Sequence, residues 1–443
     1  MEMIMNKRKT VGIITLGCKV NQYESEAIAE ALTDKGFLIT SHSEKCDAYI
    51  VNTCTVTAES DRKARQIIRR MISKNPDAYV LVTGCYSQVS PEDVAAIDGV
   101  DYVCGSSNKM TVVDKLCEIV KNGRKNEKCD VSVPELDASG FETMSIRRFD
   151  RTRAYVKIED GCESKCAYCT IPASRGPIRS KPFAEVIDEV KTLTENGVRE
   201  VVLTGIETGS YGRDLSEDED FGSLLAAIDK IDGIGRVRTG SLDPTVVKPA
   251  FVETIRDLKS LCPHFHLSLQ SGSSKILASM KRKYNAEQAL ACIERLREAI
   301  PDVKLTTDVI VGFPGETEED FRKSCDFARK ARFLMIHVFP YSKRKGTVAA
   351  DMKDQIPETV KKSRVATLSQ ISREIRSEIL DEKIAENKPV EVLFETCRGG
   401  FANGHTADFI EVRVATDKDL HGLFRSVKLI SHNGDVCEGV FVE

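Results

Sequence analysis

No run of eighteen apolar residues occurs in the 443-residue sequence, so no stretch of it is long and apolar enough to cross a bilayer as a helix. The first residues, MEMIMNKRKTVGIITLG, lack an apolar stretch followed by a small-residue cleavage site; a cytoplasmic location is the expectation. A surplus of positive charge is missing too. The formal net charge is −4, which argues against a chain that coats nucleic acid by bulk attraction and leaves room only for local basic patches. No internal repeat or low-complexity tract stands out. Cysteine, by contrast, is abundant: there are fifteen. In a reducing compartment so many thiols point to metal or catalysis before disulfides, and the odd count weakens a fully paired framework.

The length suggests about two to four domains. Between residues 8 and 122, apolar runs (VGIIT, AYIVN, AYVLVTG, VDYVCG) alternate with helix-like stretches, which predicts a small α/β domain with a mainly parallel sheet. The charge-rich stretch 123–146 reads as a linker. Over 147–378 the alternation resumes at longer spacing, with strand candidates RAYVKIE, REVVLTG, GRVRTGS, HFHLSLQ, KLTTDVIVGF and FLMIHVF. Six such units predict a partial or complete βα barrel with its working residues at the C-terminal ends of the strands. Residues 379–443 change to short strands broken by Gly, Asn and Asp (VEVLFET, FIEVRVA, GLFRSVKLI, VCEGVFVE), the pattern of a small antiparallel β-barrel.

Cys162, Cys166 and Cys169 stand in DGCESKCAYCTIP directly after the first strand of the barrel region. Three thiolates on one loop suit three irons of a cubane cluster, leaving the fourth open to chelate S-adenosylmethionine (SAM). A zinc site normally wants four protein ligands and a C-x2-C pair on each arm. Cys18, Cys54 and Cys85 each follow a strand of the N-terminal domain. Strand C-termini of a parallel sheet share one edge, so these sulfurs can converge on a second cluster. They suit equally the role of small buried apolar side chains.

TLGCKVNQYESE, VNTCTVT, TGCYSQ, DGCESKCAYCTIPASRGPIRS, LQSGS, GFPGET and FPYSKRKGT, in this order, resemble the methylthiotransferase branch of the radical SAM enzymes, and the last 60 or so residues resemble its RNA-binding TRAM domain. KVNQYESE after Gly17-Cys18 is similar to the MtaB-like subgroup, which acts on threonylcarbamoyladenosine beside the anticodon of tRNA. The resemblance implies two [4Fe-4S] clusters, with Cys162, Cys166 and Cys169 holding the SAM-cleaving one and Cys18, Cys54 and Cys85 an auxiliary one. It implies transfer of a methylthio group to the adenine 2-carbon, with the tRNA anticodon stem-loop as partner, an electron donor such as flavodoxin or ferredoxin, and a sulfur source. Isopentenyladenosine or a ribosomal-protein aspartate are the alternative substrates, and an RNA-binding protein with structural metal sites is the non-enzyme alternative.

Under the same resemblance Gly205 and Glu207, just past a predicted strand, would receive the amino group of SAM, and Tyr168 would orient its adenine. Asp243 and Gln270 complete the expected SAM contacts. Each also suits a polar strand-end residue satisfied locally. Gly312 and Gly315 read as a barrel loop near SAM, with Thr317 opening the next helix as N-cap or first residue. For RNA, the helix SDRKARQIIRRMISK puts Ala64, Ile67, Ile68, Met71 and Ile72 on one face and Arg62, Arg65, Arg69 and Arg70 on the rest, either as a phosphate track or as a solvated face. IRRFDRTRAYVK, Arg179 and Lys181 form a second basic stretch, and Arg175 either joins it or holds the cluster loop. Between Lys383 and Glu443 seven Lys and Arg face ten Asp and Glu, so RNA gripped there would rely on Arg413, Arg425, Lys428, Phe401, Phe409 and Phe424. The three aromatics suit a core equally.

Overall fold

Six short strands, β1 (Thr10–Thr15), β2 (Leu38–Thr40), β3 (Ala48–Thr53), β4 (Tyr79–Gly84), β5 (Tyr102–Cys104) and β6 (Asp130–Ser132), form one parallel sheet in the order 2-1-3-4-5-6. The computed structural model describes residues 8–123, 128–137, 140–147, 149 and 152–442. Arg148, Asp150 and Arg151 of the expected second basic stretch lie outside them. Side chains alternate across the central strands: Tyr49 and Val51 join Ile68 and Met71 on one face, Ala48 and Ile50 join Ile28 and Leu116 on the other. β3 is therefore buried at every position, as a parallel sheet covered by helices on both sides requires.

The central region supplies β7 (Arg153–Lys157), a two-stranded ribbon of β8 (Glu159–Asp160) and β9 (Arg179–Ser180), then β10 (Glu200–Thr204), β11 (Arg236–Thr239), β12 (Ser241–Leu242), β13 (His264–Gln270), β14 (Lys304–Val311) and β15 (Met335–Pro340). β7, β10 and β11 pair in parallel, as do β12, β13, β14 and β15. β11 and β12 flank Gly240 as two halves of one bent strand, so the six predicted βα units make an open barrel. A closed barrel of β16 (Pro389–Arg398), β17 (Phe401–Thr406), β18 (Glu411–Ala415), β19 (Phe424–Asn433) and β20 (Val436–Phe441) follows, in the order 16-17-18-20-19.

Three expectations need correction. The stretch 123–146, read as a linker, contributes β6, which pairs with β5; three edge residues with only Val131 apolar carry no readable alternation. The boundary placed between 378 and 379 falls inside the helix Glu358–Ala385, whose Leu368, Ile371, Ile375 and Ile379 are buried. The C-terminal barrel has five strands against four expected, since FANGHT (β17) hides its pairing behind Gly and Asn.

The helix Lys19–Asp34 is buried on two sides. Ile28 and Leu32 enter the N-terminal core, while Tyr23 and Ala27 belong to the core of the open barrel, where Tyr23 Oη donates to Glu189 at 3.0 Å. Arg236 and Arg238 reach the backbone carbonyls of His405 and Ala407, each at 3.0 Å, and seat the small barrel against β11. Among the described residues no helix is long and apolar enough to cross a membrane.

Candidate active site

β1, β3 and β4 are neighbours, and their C-terminal ends deliver Cys18, Cys54 and Cys85 to one edge of the sheet. Cys18 is the N-cap of its helix and exposed, whereas Cys54 and Cys85 are buried. Gly17, at φ +98°, makes the approach of the first loop feasible: a Cβ there would stand 2.9 Å from Cys54 Sγ. Burial pushes the Cys54 thiol up to about 11.

Arg175, with no exposed surface, connects this edge to the central region. Its Nε donates to Cys85 Sγ at 3.1 Å, and its Nη1 donates to Glu24 at 2.6 Å and Asp160 at 3.0 Å. Glu24, on the helix that follows Cys18, also pairs with the buried Lys109 and Lys157, and Lys157 pairs with Asp160. Against the cost of its burial, Arg175, Lys109 and Lys157 hold Glu24 well below the usual carboxylate range. Three cations thus meet two carboxylates in these direct pairs, with Arg179 a further 3.9 Å from Asp160.

Cys162, Cys166 and Cys169 lie on the loop between β8 and the short helix Ile171–Arg175, each half-buried. The loop is closed by bonds from Cys162 N–H to the Gly176 carbonyl and from Ala167 N–H to the Met280 carbonyl. Ser164 N–H points at Cys162 Sγ and Ile171 N–H at Cys169 Sγ, both at 3.4 Å. Burial, with Glu207 second, pushes Cys162 up to about 12, and burial pushes Cys169 up to about 11. Bound iron would reverse this, because a coordinating thiol is deprotonated outright.

The expected SAM contacts collect at the same end of the barrel. Gly205 and Glu207 follow β10, Asp243 follows β12, and Gln270 ends β13 with φ +72°. Glu207 accepts from Cys162 Sγ at 3.3 Å and Ser164 Oγ at 3.4 Å. Asp243 is committed locally: Oδ1 accepts from Thr245, and Oδ2 pairs with Arg282 at 2.5 Å. Tyr168 turns its ring edge-on to Phe313, 6.5 Å between centroids. The N–H of Gly312 donates to Glu316 Oε2 and so is taken, while Thr317 is an N-cap with a full capping box.

Sequence reasoning missed Arg282 and Glu159. Arg282 Nη1 donates to Cys166 Sγ at 3.2 Å, yet in the polar run MKRKYN nothing distinguishes it from its neighbours. Glu159 Oε2 accepts the Glu207 N–H at 2.8 Å, while Oε1 is buried with no partner among the described residues; burial, with Asp160 and Glu207 nearby, lifts its pKa well above the carboxylate range. Only its position at a strand end beside the motif hinted at it.

The arginine helix, Ala58–Lys74, buries Ala64, Ile68 and Met71. Arg62 is paired with Glu59 and Arg65 with the Tyr86 hydroxyl, so among the expected four only Arg69 and Arg70 have no such partner among the described residues. In the small barrel, Phe409 stacks on His264 at 4.6 Å and Phe424 lies under Arg236 at 4.7 Å. Both hold the barrel in place. Phe401 is exposed, with Arg413 over its ring at 5.4 Å.

The model of the Radical SAM superfamily matches residues 156–328, and that of the Uncharacterized protein family UPF0004 matches residues 10–105. Over 439 residues the sequence is 38% identical to the threonylcarbamoyladenosine tRNA methylthiotransferase MtaB of Bacillus subtilis, covering 98% of this chain and 96% of that protein. The chain belongs to the radical SAM methylthiotransferases. A second relative in this family, the tRNA-2-methylthio-N(6)-dimethylallyladenosine synthase of Acetivibrio thermocellus, is 36% identical over 401 residues, 89% of this chain and 82% of that one. The fold is similar to that of the radical S-adenosylmethionine methyltransferase TsrM from Kitasatospora setae, with a TM-score of 0.57 at 16% identity over 77% of this chain and 74% of that chain. A radical SAM methylthiotransferase is an enzyme whose cofactors are SAM and two [4Fe-4S] clusters. The thiols suit such groups: Cys18, Cys54 and Cys85 lie near enough to feel one another's charge, as do Cys166 and Cys169 on their loop.

Proposed function

We propose that this methylthiotransferase acts on threonylcarbamoyladenosine beside the anticodon of tRNA, placing a methylthio group on the adenine 2-carbon. The observation that supports the reading is that Cys18, Cys54 and Cys85 collect on a sheet edge beside the short helix that follows the Cys162–Cys169 loop: Arg175 at the end of that helix donates to Cys85 and closes on Glu24 and Asp160, and Thr170 Oγ1 donates to the Thr55 carbonyl at 3.4 Å. The preference for threonylcarbamoyladenosine is supported by KVNQYESE and by the MtaB relative; the dimethylallyladenosine synthase relative makes isopentenyladenosine the second reading.

In this proposal Cys162, Cys166 and Cys169 hold the SAM-cleaving cluster and Cys18, Cys54 and Cys85 the auxiliary one. Bound there, SAM and reduced iron supply one-electron chemistry that opens a C–H bond with no acidic proton. The remaining work belongs to the chain. Arg282 and the Ser164 and Ile171 amides donate toward the loop sulfurs and steady their negative charge. Gly205, Glu207 and Gln270 line the strand ends where SAM would lie, Tyr168 borders them, and Asp243 acts by holding Arg282. Arg175 balances charge at Cys85. Phe401 and Arg413 on the small barrel, with Arg69 and Arg70, are the RNA contacts, through stacking and phosphate pairing. A cytoplasmic setting, an electron donor of the flavodoxin or ferredoxin kind and an external sulfur source complete the reading.

The test uses reconstituted enzyme, SAM, a reductant and two synthetic anticodon stem-loops, one carrying threonylcarbamoyladenosine and one isopentenyladenosine. Mass spectrometry of the digested nucleosides should find the methylthio product on the first RNA. Product on the second alone would overturn the substrate assignment.

A further inference from the structure

β13, β14 and β15 run side by side, with His266 opposite Thr306 and Asp308 opposite His337. Residues two apart on a strand share a face, so His266, Thr306, Asp308 and His337 point to one side of the sheet. The alternate residues Phe265, Leu267, Leu305, Val309 and Ile336 are buried in the core with the surrounding helices. The histidine and aspartate side is therefore the inner, concave face of the open barrel.

One ligand atom from each of His266, Asp308 and His337 lies within 4.8 Å of the other two, the tightest such constellation among the described residues. His266 Nε2 stands 3.3 Å from Asp308 Oδ2, and the two imidazole rings are 5.9 Å apart. His266 Nδ1 is bonded to Thr306 Oγ1 at 3.0 Å, and the same hydroxyl reaches His264 Nε2 at 3.2 Å. A metal-binding histidine is held in this way, one nitrogen fixing the ring and the other left for the ion. The Asp308 carboxylate faces the His266 ring, and the His337 ring has no hydrogen bond among the described residues.

We infer that His266, Asp308 and His337 form a binding site for a divalent transition cation of the zinc or iron(II) class, separate from both cysteine trios. Two imidazoles and one carboxylate suit such an ion, whereas magnesium and calcium favour oxygen ligands. Three ligands from one sheet face leave the other positions open to the barrel interior, for water or an oxygen of a bound molecule.

Zinc is the probe. Full-length enzyme with its clusters reconstituted is mixed with zinc sulfate, freed of excess by gel filtration, and its zinc, iron and sulfide are counted. Wild type should keep about one zinc per chain. Asp308→Asn and His337→Ala should lose it, and Thr306→Val, which removes only the orienting hydroxyl, should weaken retention about tenfold. Iron and sulfide should be unchanged in all three. The variants leave every cysteine intact, so zinc lodged on thiols would persist in them. No zinc on wild type, or equal zinc on wild type and variants, overturns the site. X-ray absorption of the wild-type protein reads it without any variant: nitrogen and oxygen at about 2.0–2.2 Å support it, and sulfur at about 2.3 Å overturns it.

Discussion

Cys162, Cys166 and Cys169 span eight residues of one loop, whereas Cys18, Cys54 and Cys85 span 68 residues and meet only where β1, β3 and β4 end side by side. The first trio is brought together by its own loop, which one backbone bond ties to nearby Gly176 and one to the distant Met280. The second needs the whole N-terminal sheet in register, a glycine at position 17 to bring the first loop against Cys54, and a buried guanidinium from the neighbouring domain. A site assembled locally survives loosening of the fold better than one assembled at long range, because each long-range contact depends on ordering the chain between its partners.

Removing one ligand from each trio tests whether the two are separable. Cys166→Ala should abolish reductive cleavage of SAM, because the proposed open-iron cluster loses one of three thiolates. The yield of 5′-deoxyadenosine measures it, and a normal yield would break the comparison at its local end. Changing Cys18, Cys54 and Cys85 together to Ala should remove about half the iron, leave 5′-deoxyadenosine formation in place and end methylthio product formation. Full iron with methylthiolation retained would return the second trio to mere packing.

Arg175 is where the two regions are coupled. Replacing it by Ala takes one cation from the buried Glu24 and Asp160 but leaves them Lys109 and Lys157, so the cost should stay at or below the roughly 3–5 kcal/mol of an uncompensated buried charge, and the melting temperature should drop by several degrees. Iron bound by the N-terminal trio should be lost before that bound by the loop, which anaerobic titration with a chelator would follow. Equal loss from both would mean that Arg175 serves the domain junction alone. The smallest effect belongs to the RNA contacts. Phe401→Ala should weaken tRNA binding by about 1–3 kcal/mol at fixed salt without changing 5′-deoxyadenosine yield, whereas Phe409→Ala should act on stability, since that ring is stacked between His264 and His405.

Much of the architecture was legible because it rests on periodicity. The six barrel strands stand out as apolar runs, and the helix start at Thr317 could be placed to within a residue. Short polar edge strands such as β6 and β17 could not, since alternation needs more residues than they have. Phe401, Phe409 and Phe424 look alike in one dimension, yet two hold a domain junction and one faces solvent. Which aromatic is free depends on what Arg236 and Arg238 dock against.

By itself the sequence determined what is local: the cysteine loop, the alternation of strands and helices, and the identity of the side chains at each strand end. Tertiary structure decided which of those ends lie together. Cys18, Cys54 and Cys85 converge because β1, β3 and β4 are neighbours, Arg175 reaches Cys85 because the helix after Cys18 is shared between two cores, and His266, Asp308 and His337 meet because three parallel strands lie in one register. Strand order and register arise from burial summed over the whole sheet, so no short window of sequence contains them.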